Sequence, residues 1–243
     1  PTVSTIEIGV SGAATLLLDD GTSIKNGDLT ISAGSALDIT TSGATLDGVT
    51  VTGTNATLSV AASTIEVGTT TTTGTVLTLD DGTTITNGNL IIDSGNTLEI
   101  DKGTASLPAG APDATLDGVS VTNSGTIQID SSAMLTLEGG ATLNGGTIDD
   151  TGKLSVTSSS EIENATIDGT GDLTVTGGTL TLSKVTLDSV TLAGSFTNAD
   201  TLTIDHTVTL NGATLNGGTI DDTGTLSVTS SSEIENATID GTG

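Results

Sequence analysis

The sequence repeats itself at two length scales, and this repetition restricts the folds open to the chain more than any other feature. Residues 141–171 return at 213–243, 72 positions later, with the single change of Lys153 to Thr225. A more divergent pair occupies the first half, where ATLDGVTVT at 44–52 matches ATLDGVSVT at 114–122. Repetition of this kind indicates stacked structural units rather than one globular core.

A shorter repeat, about 19 to 21 residues long, lies inside the long ones. Leu154 and Val156 recur 19 positions later as Leu173 and Val175. Most such positions belong to short units of the form apolar, polar, apolar, and this period of two predicts strands with two aliphatic side chains inward and one polar side chain outward. One rung of the fold is therefore predicted to hold two or three short strands.

Asn-Gly pairs such as Asn26-Gly27 and Asn87-Gly88 separate these units. Asn-Gly between strands is typical of a two-residue hairpin, which would give an antiparallel sheet. The rung period favours corners instead, with each strand stacked in parallel on its counterpart in the next rung. An insertion from Lys102 to Asp113, which contains two prolines, is predicted to be a surface loop.

We therefore predict an all-β fold, a parallel β-solenoid (β-helix) with about 19–21 residues per rung. Its coil is expected to be right-handed, the sense favoured for parallel crossovers. The chain is expected to be one continuous solenoid cut from a longer array. It spans 1–243, with internal repeats near 4–62, 63–132, 133–204 and 205–243.

The composition excludes several classes of partner. Thirty acidic residues against four lysines give a formal charge of −26, so nucleic acid and anionic membrane surfaces are repelled. No apolar run approaches the ~18 residues needed to cross a bilayer, so membrane insertion is not expected. High charge and very few aromatic residues also suit a disordered chain. The regular alternation of aliphatic residues argues against disorder.

Three segments carry a family resemblance: LDDGTTITNGNLII at 79–92, ATLDGVSVTNSGTIQID at 114–130, and the repeat at 141–171. They resemble the β-strand repeat tracts of very large secreted surface proteins of proteobacteria, grouped with VCBS-type and type I-secreted adhesins. The resemblance implies an extracellular, cell-surface location and a structural role in adhesion, as a stalk or a biofilm-matrix fibre. Independently of the resemblance, uncapped rungs and sheet edges favour self-association, with neighbouring repeats or into filaments, and a polysaccharide or cell-surface ligand is expected as a partner.

A carbohydrate-active enzyme, a polysaccharide lyase or hydrolase, is the main alternative, because parallel β-helices carry such activities. The paired acids could supply a general acid and a general base. They recur with the repeat, as corner residues do, whereas an active site normally occurs once. No enzymatic activity and no catalytic or cofactor residue is therefore predicted. The pairs are Asp19-Asp20, Asp80-Asp81, Asp149-Asp150 and Asp221-Asp222.

Metal or ice binding is a further alternative. The acidic corners could hold Ca²⁺ through carboxylates and carbonyls, but no ligand spacing defines a site, and no metal ligand is assigned. His206 is the only histidine and is expected to be an exposed corner side chain without a metal cluster around it. The threonine run at 69–73 suggests an ice-binding face, which would need two outward ranks of threonine on one flat sheet.

Overall fold

The structure is a computed structural model that describes residues 4–18, 22–32, 35–39, 44–52, 56–60, 64–68, 71 and 73–241. All regular secondary structure in these residues is β-strand. The strands are three to ten residues long. They are β1 (Thr5–Ile8), β2 (Thr15–Leu18), β3 (Thr22–Ile31), β4 (Ala36–Ile39), β5 (Ala44–Thr52), β6 (Thr57–Ser59), β7 (Thr64–Val67), β8 (Val76–Leu79), β9 (Thr83–Thr86), β10 (Asn89–Ile92), β11 (Thr97–Ile100), β12 (Ala114–Asp117), β13 (Ser120–Asn123), β14 (Thr126–Ile129), β15 (Met134–Glu138), β16 (Thr142–Asn144), β17 (Thr147–Asp150), β18 (Lys153–Val156), β19 (Ser160–Glu163), β20 (Thr166–Asp168), β21 (Asp172–Val175), β22 (Leu180–Ser183), β23 (Val185–Asp188), β24 (Thr191–Asn198), β25 (Thr201–Asp205), β26 (Thr207–Asn216), β27 (Thr219–Asp222), β28 (Thr225–Val228), β29 (Glu233–Glu235) and β30 (Thr238–Gly241).

The strands form three parallel ladders, and the chain passes through ladders 1, 2 and 3 in turn. Ladder 1 contains β1, β3, β5, β8, β11, β14, β17, β20, β23, β25, β27 and β30. Ladder 2 contains β2, β4, β6, β9, β12, β15, β18, β21, β24, β26 and β28. Ladder 3 contains β3, β5, β7, β10, β13, β16, β19, β22, β24, β26 and β29.

The predicted fold class, a parallel β-solenoid, is confirmed. It has about ten stacked turns of about 21 residues each. Ladder 1 stacks twelve strands, so at a spacing of ~4.8 Å the rod is about 53 Å long. The right-handed coil stays a prediction.

The core consists of aliphatic side chains stacked in columns. On ladder 2, Leu116, Leu137 and Val156 are aligned on successive turns, and each is fully buried. Inward residues of all three ladders belong to one continuous cluster. Phe196, the chain's one aromatic residue, lies in this cluster on ladder 3. Stability is therefore the sum of contacts between neighbouring turns.

The Asn-Gly pairs form corners between ladders, as predicted. Asn26 and Asn87 have φ values of 53° and 60°, in the left-handed region. Asn87 joins β9 on ladder 2 to β10 on ladder 3, and these two strands pair with different partners rather than with each other. The left-handed conformation turns the chain onto the next face instead of reversing it.

The long duplication keeps each segment on its ladder but shifts it along the strand. The ladder partners of Ile148 over the next four turns are residues 167, 187, 204 and 222. The sequence counterpart of Ile148 is Ile220 rather than residue 222. The copies are thus displaced by two residues, and since side chains alternate with a period of two, the inward side chains stay inward.

The insertion at Lys102–Asp113 is a loop between β11 and β12, as predicted. The N–H of Ala105 donates to Oδ1 of Asp81 at 2.7 Å, and Nζ of Lys102 lies 3.4 Å from Oδ1 of Asp113. The first contact ties the loop to the corner between ladders 1 and 2, and the second joins the two ends of the loop. The insertion therefore lengthens one turn without interrupting any ladder.

Candidate functional site

The paired acids do not present two carboxylates to one substrate. Asp149 and Asp150 are consecutive residues of β17, so their side chains point to opposite faces of the ladder. Asp149 points outward, while Asp150 aligns with the inward Ile129 and is fully buried. Asp221-Asp222 alternates in the same way in β27, where Asp222 aligns with the inward Ile204 but is only partly buried. The pair Asp19-Asp20 lies outside the described residues.

Asp150 is a buried acid with only part of its hydrogen-bonding capacity used. The N–H of Gly152 donates to its Oδ1 at 3.1 Å, whereas Oδ2 has no partner among the described residues. Burial raises the pKa of Asp150 to about 7, and the charges of Asp172 and Asp149 add to the rise. Backbone hydrogen bonds to the carboxylate oppose the shift without cancelling it. This environment suits a neutral group better than a carboxylate.

The Asp80-Asp81 pair sits beneath the inserted loop, and both side chains are buried. The pKa of Asp80 is raised to about 7, mainly by burial and in smaller part by the nearby charges of Asp81, Asp101 and Asp113. Within the described residues, Oδ1 of Asp80 has no hydrogen-bond partner. The pair is thus shielded by the loop rather than open to a large substrate.

A shallow groove of about 350 Å³ runs along ladder 2 beside the loop. Pro112 of the loop forms one wall, and Lys153 and Glu138 are its charged residues. The hydroxyls of Thr136 and Ser155 line its floor on adjacent turns. It offers hydrogen bonds to a polar ligand, but it lacks the paired carboxylates that glycoside hydrolysis requires.

The outward face of ladder 1 carries two columns of side chains. One column holds threonines on six successive turns: Thr97, Thr126, Thr147, Thr166, Thr186 and Thr203. The other is acidic except for one glutamine: Glu99, Gln128, Asp149, Asp168, Asp188 and Asp205. On this face only one rank of threonine is present, whereas an ice-binding face was expected to need two. The acidic column is the stronger candidate for binding, and its natural ligands are cations.

His206 is exposed at a corner, as predicted, but it has close acidic neighbours that the sequence did not reveal. It follows β25 directly and has a φ of 53°. Its Nδ1 lies 3.0 Å from Oδ1 of Asp188 and 3.6 Å from Oδ1 of Asp205. Asp188 comes from the preceding turn and is paired with Asp205 in ladder 1. The prediction that no metal-ligating residues cluster around His206 did not take this pairing into account.

Comparisons of the chain with protein-family models, curated proteins and solved structures found no significant match. In the part of the chain that the structure describes, no helix is long and apolar enough to cross a membrane. The function is therefore inferred from the sequence and from the geometry of the described residues.

Proposed function

We propose that this chain is an extracellular structural repeat region of a bacterial surface protein, a stalk or matrix fibre that holds an adhesive part at a distance. The observation that carries the proposal is the continuity of the ladders. Each ladder runs from the first turns to the last described strand without a break. Each added turn lengthens such a rod by ~4.8 Å without requiring a new fold.

The surface chemistry supports a spacer that stays separate from its neighbours. A formal charge of −26 makes bare rods repel one another at low ionic strength. This repulsion favours a stalk over a laterally packed fibre, unless cations neutralise the acidic column on ladder 1. The resemblance of the repeats to secreted surface tracts supports the extracellular location.

The length of the rod should follow the number of repeats. We expect a second copy of residues 141–212, inserted after Gly212, to add four turns, since the duplicated segments lie four turns apart in ladder 1. The maximum dimension in small-angle X-ray scattering should increase by about 19 Å, four times the ~4.8 Å strand spacing. The matched control is an insert of the same composition and length in scrambled order, which should add a flexible segment. An unchanged dimension for the ordered insert would contradict the spacer proposal.

The location and role can be tested in the source bacterium. An epitope placed at Ala109, in the exposed part of the loop, should be labelled by antibody on intact cells. Deletion of residues 141–212 should preserve export and reduce attachment or fibre length. Labelling that appears only after permeabilisation would contradict the extracellular location. Cleavage of an acidic polysaccharide by the wild-type chain, lost in Asp149→Asn, would favour the enzyme alternative instead.

A further inference from the structure

The group formed by Asp188, Asp205 and His206 brings three ligand atoms together from two adjacent turns. The two carboxylate oxygens and a ring nitrogen of the histidine all lie within 4.8 Å of one another. Asp188 and Asp205 end paired strands, β23 and β25, so the ladder register holds them side by side. His206 then turns its imidazole toward both carboxylates. The group is accessible, because the His206 side chain is 69% exposed.

The spacing of these atoms suits a shared metal ion. Two donors bound to one ion at ~2.0–2.2 Å are separated by about 3.0–3.5 Å in tetrahedral or octahedral geometry. Nδ1 of His206 lies 3.0 Å from Oδ1 of Asp188 and 3.6 Å from Oδ1 of Asp205. An ion could therefore be held with small side-chain rotations and no movement of the backbone.

Both carboxylates are already held by neighbouring donors. The hydroxyl of Ser189 donates to Oδ1 of Asp188 at 2.8 Å, and the N–H of His206 donates to Oδ1 of Asp205 at 3.0 Å. Hydrogen bonds from a second shell commonly orient metal ligands in this way. The two carboxylates and a neutral imidazole carry a charge of −2, which a divalent ion neutralises.

The group occurs once, unlike the recurrent corner acids. It lies in the segment between the two copies at 141–171 and 213–243, and it contains the only histidine of the chain. The acidic column continues at Asp168 and Asp149, but no imidazole accompanies those residues. A carboxylate column alone would suit Ca²⁺, which takes oxygen ligands. The added nitrogen selects an ion that accepts imidazole as well as carboxylate.

We propose that Asp188, Asp205 and His206 form a binding site for a divalent transition-metal ion, with Zn²⁺ as the preferred occupant. The three side chains supply three ligands, and water or a donor from another molecule completes the coordination. The site lies on the outward face of the rod and is independent of its role as a spacer.

Nuclear magnetic resonance of the single imidazole tests the site directly. In 150 mM NaCl, which screens diffuse binding, we expect Zn²⁺ to shift the His206 ring signals and to saturate at one ion per chain. Ca²⁺ at the same concentrations should not produce this shift. In calorimetry, Asp188→Asn should weaken Zn²⁺ binding by about tenfold or more, since loss of a mere supporting group costs about 10–100-fold.

The matched control is Asp168→Asn, which removes the same charge from the same column one turn away and should leave Zn²⁺ binding unchanged. A second variant, His206→Asn, keeps a polar corner residue and should abolish the one-to-one binding. Circular dichroism melts of all three variants should match the wild type. Unchanged ring signals with Zn²⁺, or equal loss of binding in Asp168→Asn and Asp188→Asn, would overturn the proposal and leave only an ion pair with diffuse counterions.

Discussion

Replacement of Phe196 by alanine is expected to lower the free energy of unfolding by about 3–5 kcal/mol, the usual cost of truncating a buried phenylalanine. Phe196 is 1% exposed and is aligned with Leu180 and Leu215 on the adjacent turns. The neighbouring turns are fixed by ladder hydrogen bonds, so they cannot close over the space that the ring leaves. Chemical unfolding followed by circular dichroism measures the loss.

The matched control for this change is Phe196→Leu, because leucine occupies the same column on both neighbouring turns. It should cost about 1 kcal/mol, in the range of substitutions that keep most of the side-chain volume. Hydrogen exchange should show the loss of protection concentrated in β22, β24 and β26, since each turn contacts only its neighbours. A cost below about 1 kcal/mol for the alanine variant would show that the core around Phe196 collapses readily, against the usual cost of such a truncation.

The fold was predictable because the same local pattern recurs in every turn. Alternation in units such as Leu173-Thr174-Val175 fixed which side chains face the core, and the structure buries both aliphatic residues. The left-handed corner at Asn87 and the loop at Lys102–Asp113 followed from the conformational preferences of Asn, Gly and Pro. The opposite orientations of Asp149 and Asp150 could also have been predicted from the period of two.

The group around His206 was missed because the turn length is not constant. Asp188 and Asp205 are paired on adjacent turns although their separation in the sequence is shorter than the period that the repeats indicated. The corners differ in length from turn to turn, so a mean period cannot align individual side chains over several turns. Only the observed register places Asp188 beside His206. The signal to look for would have been an aspartate at the end of each of two successive strands, with the histidine directly after the second.

Two inward asparagines were also missed, and they show what the corner next to Asp150 requires. At Asn123, Oδ1 accepts the N–H of Gly125 at 2.9 Å and Nδ2 donates to the carbonyl of Thr147 at 3.1 Å. Asn198 donates in the same way to the carbonyl of Thr219. Asp150 makes the equivalent bond to the N–H two residues ahead. Asp150 differs from the asparagines in its second side-chain atom: Oδ2 of Asp150 can only accept a hydrogen bond when ionised, whereas Nδ2 of each asparagine donates one.

Asp150→Asn is therefore expected to stabilise the solenoid at neutral and alkaline pH by about 2–4 kcal/mol. The pKa of Asp150 in the folded state, about 7, is above its ordinary value of 3.8. Below pH 3.8 the carboxyl is neutral in both the folded and the unfolded chain, so it does not lower the free energy of unfolding. As the pH rises above 3.8, the carboxyl ionises in the unfolded chain before it does so in the folded chain, and the free energy of unfolding falls. The loss is complete above pH 7, where it reaches at most about 4 kcal/mol. Melting temperatures at pH 4 and pH 8 measure the difference, which should fall to below about 1 kcal/mol at pH 4.

The reciprocal change provides a test in the opposite direction. Asn123→Asp should destabilise the fold at pH 8, because a carboxylate would face the carbonyl of Thr147 where an amide now donates, and the loss should be smaller at pH 4. Asp149→Asn is the matched control, since it removes the same charge from the outward neighbour but leaves the buried carboxyl in place, and it should recover only a small part of the stability that Asp150→Asn recovers at pH 8. If Asp150→Asn is neutral or destabilising at pH 8, then Asp150 is solvated or paired in a way that the described contacts do not include. If Asp150→Asn raises stability at pH 8 and Asn123→Asp lowers it, these inward corners favour a neutral amide over a carboxylate. The carboxylate at position 150 is then retained at a cost to stability.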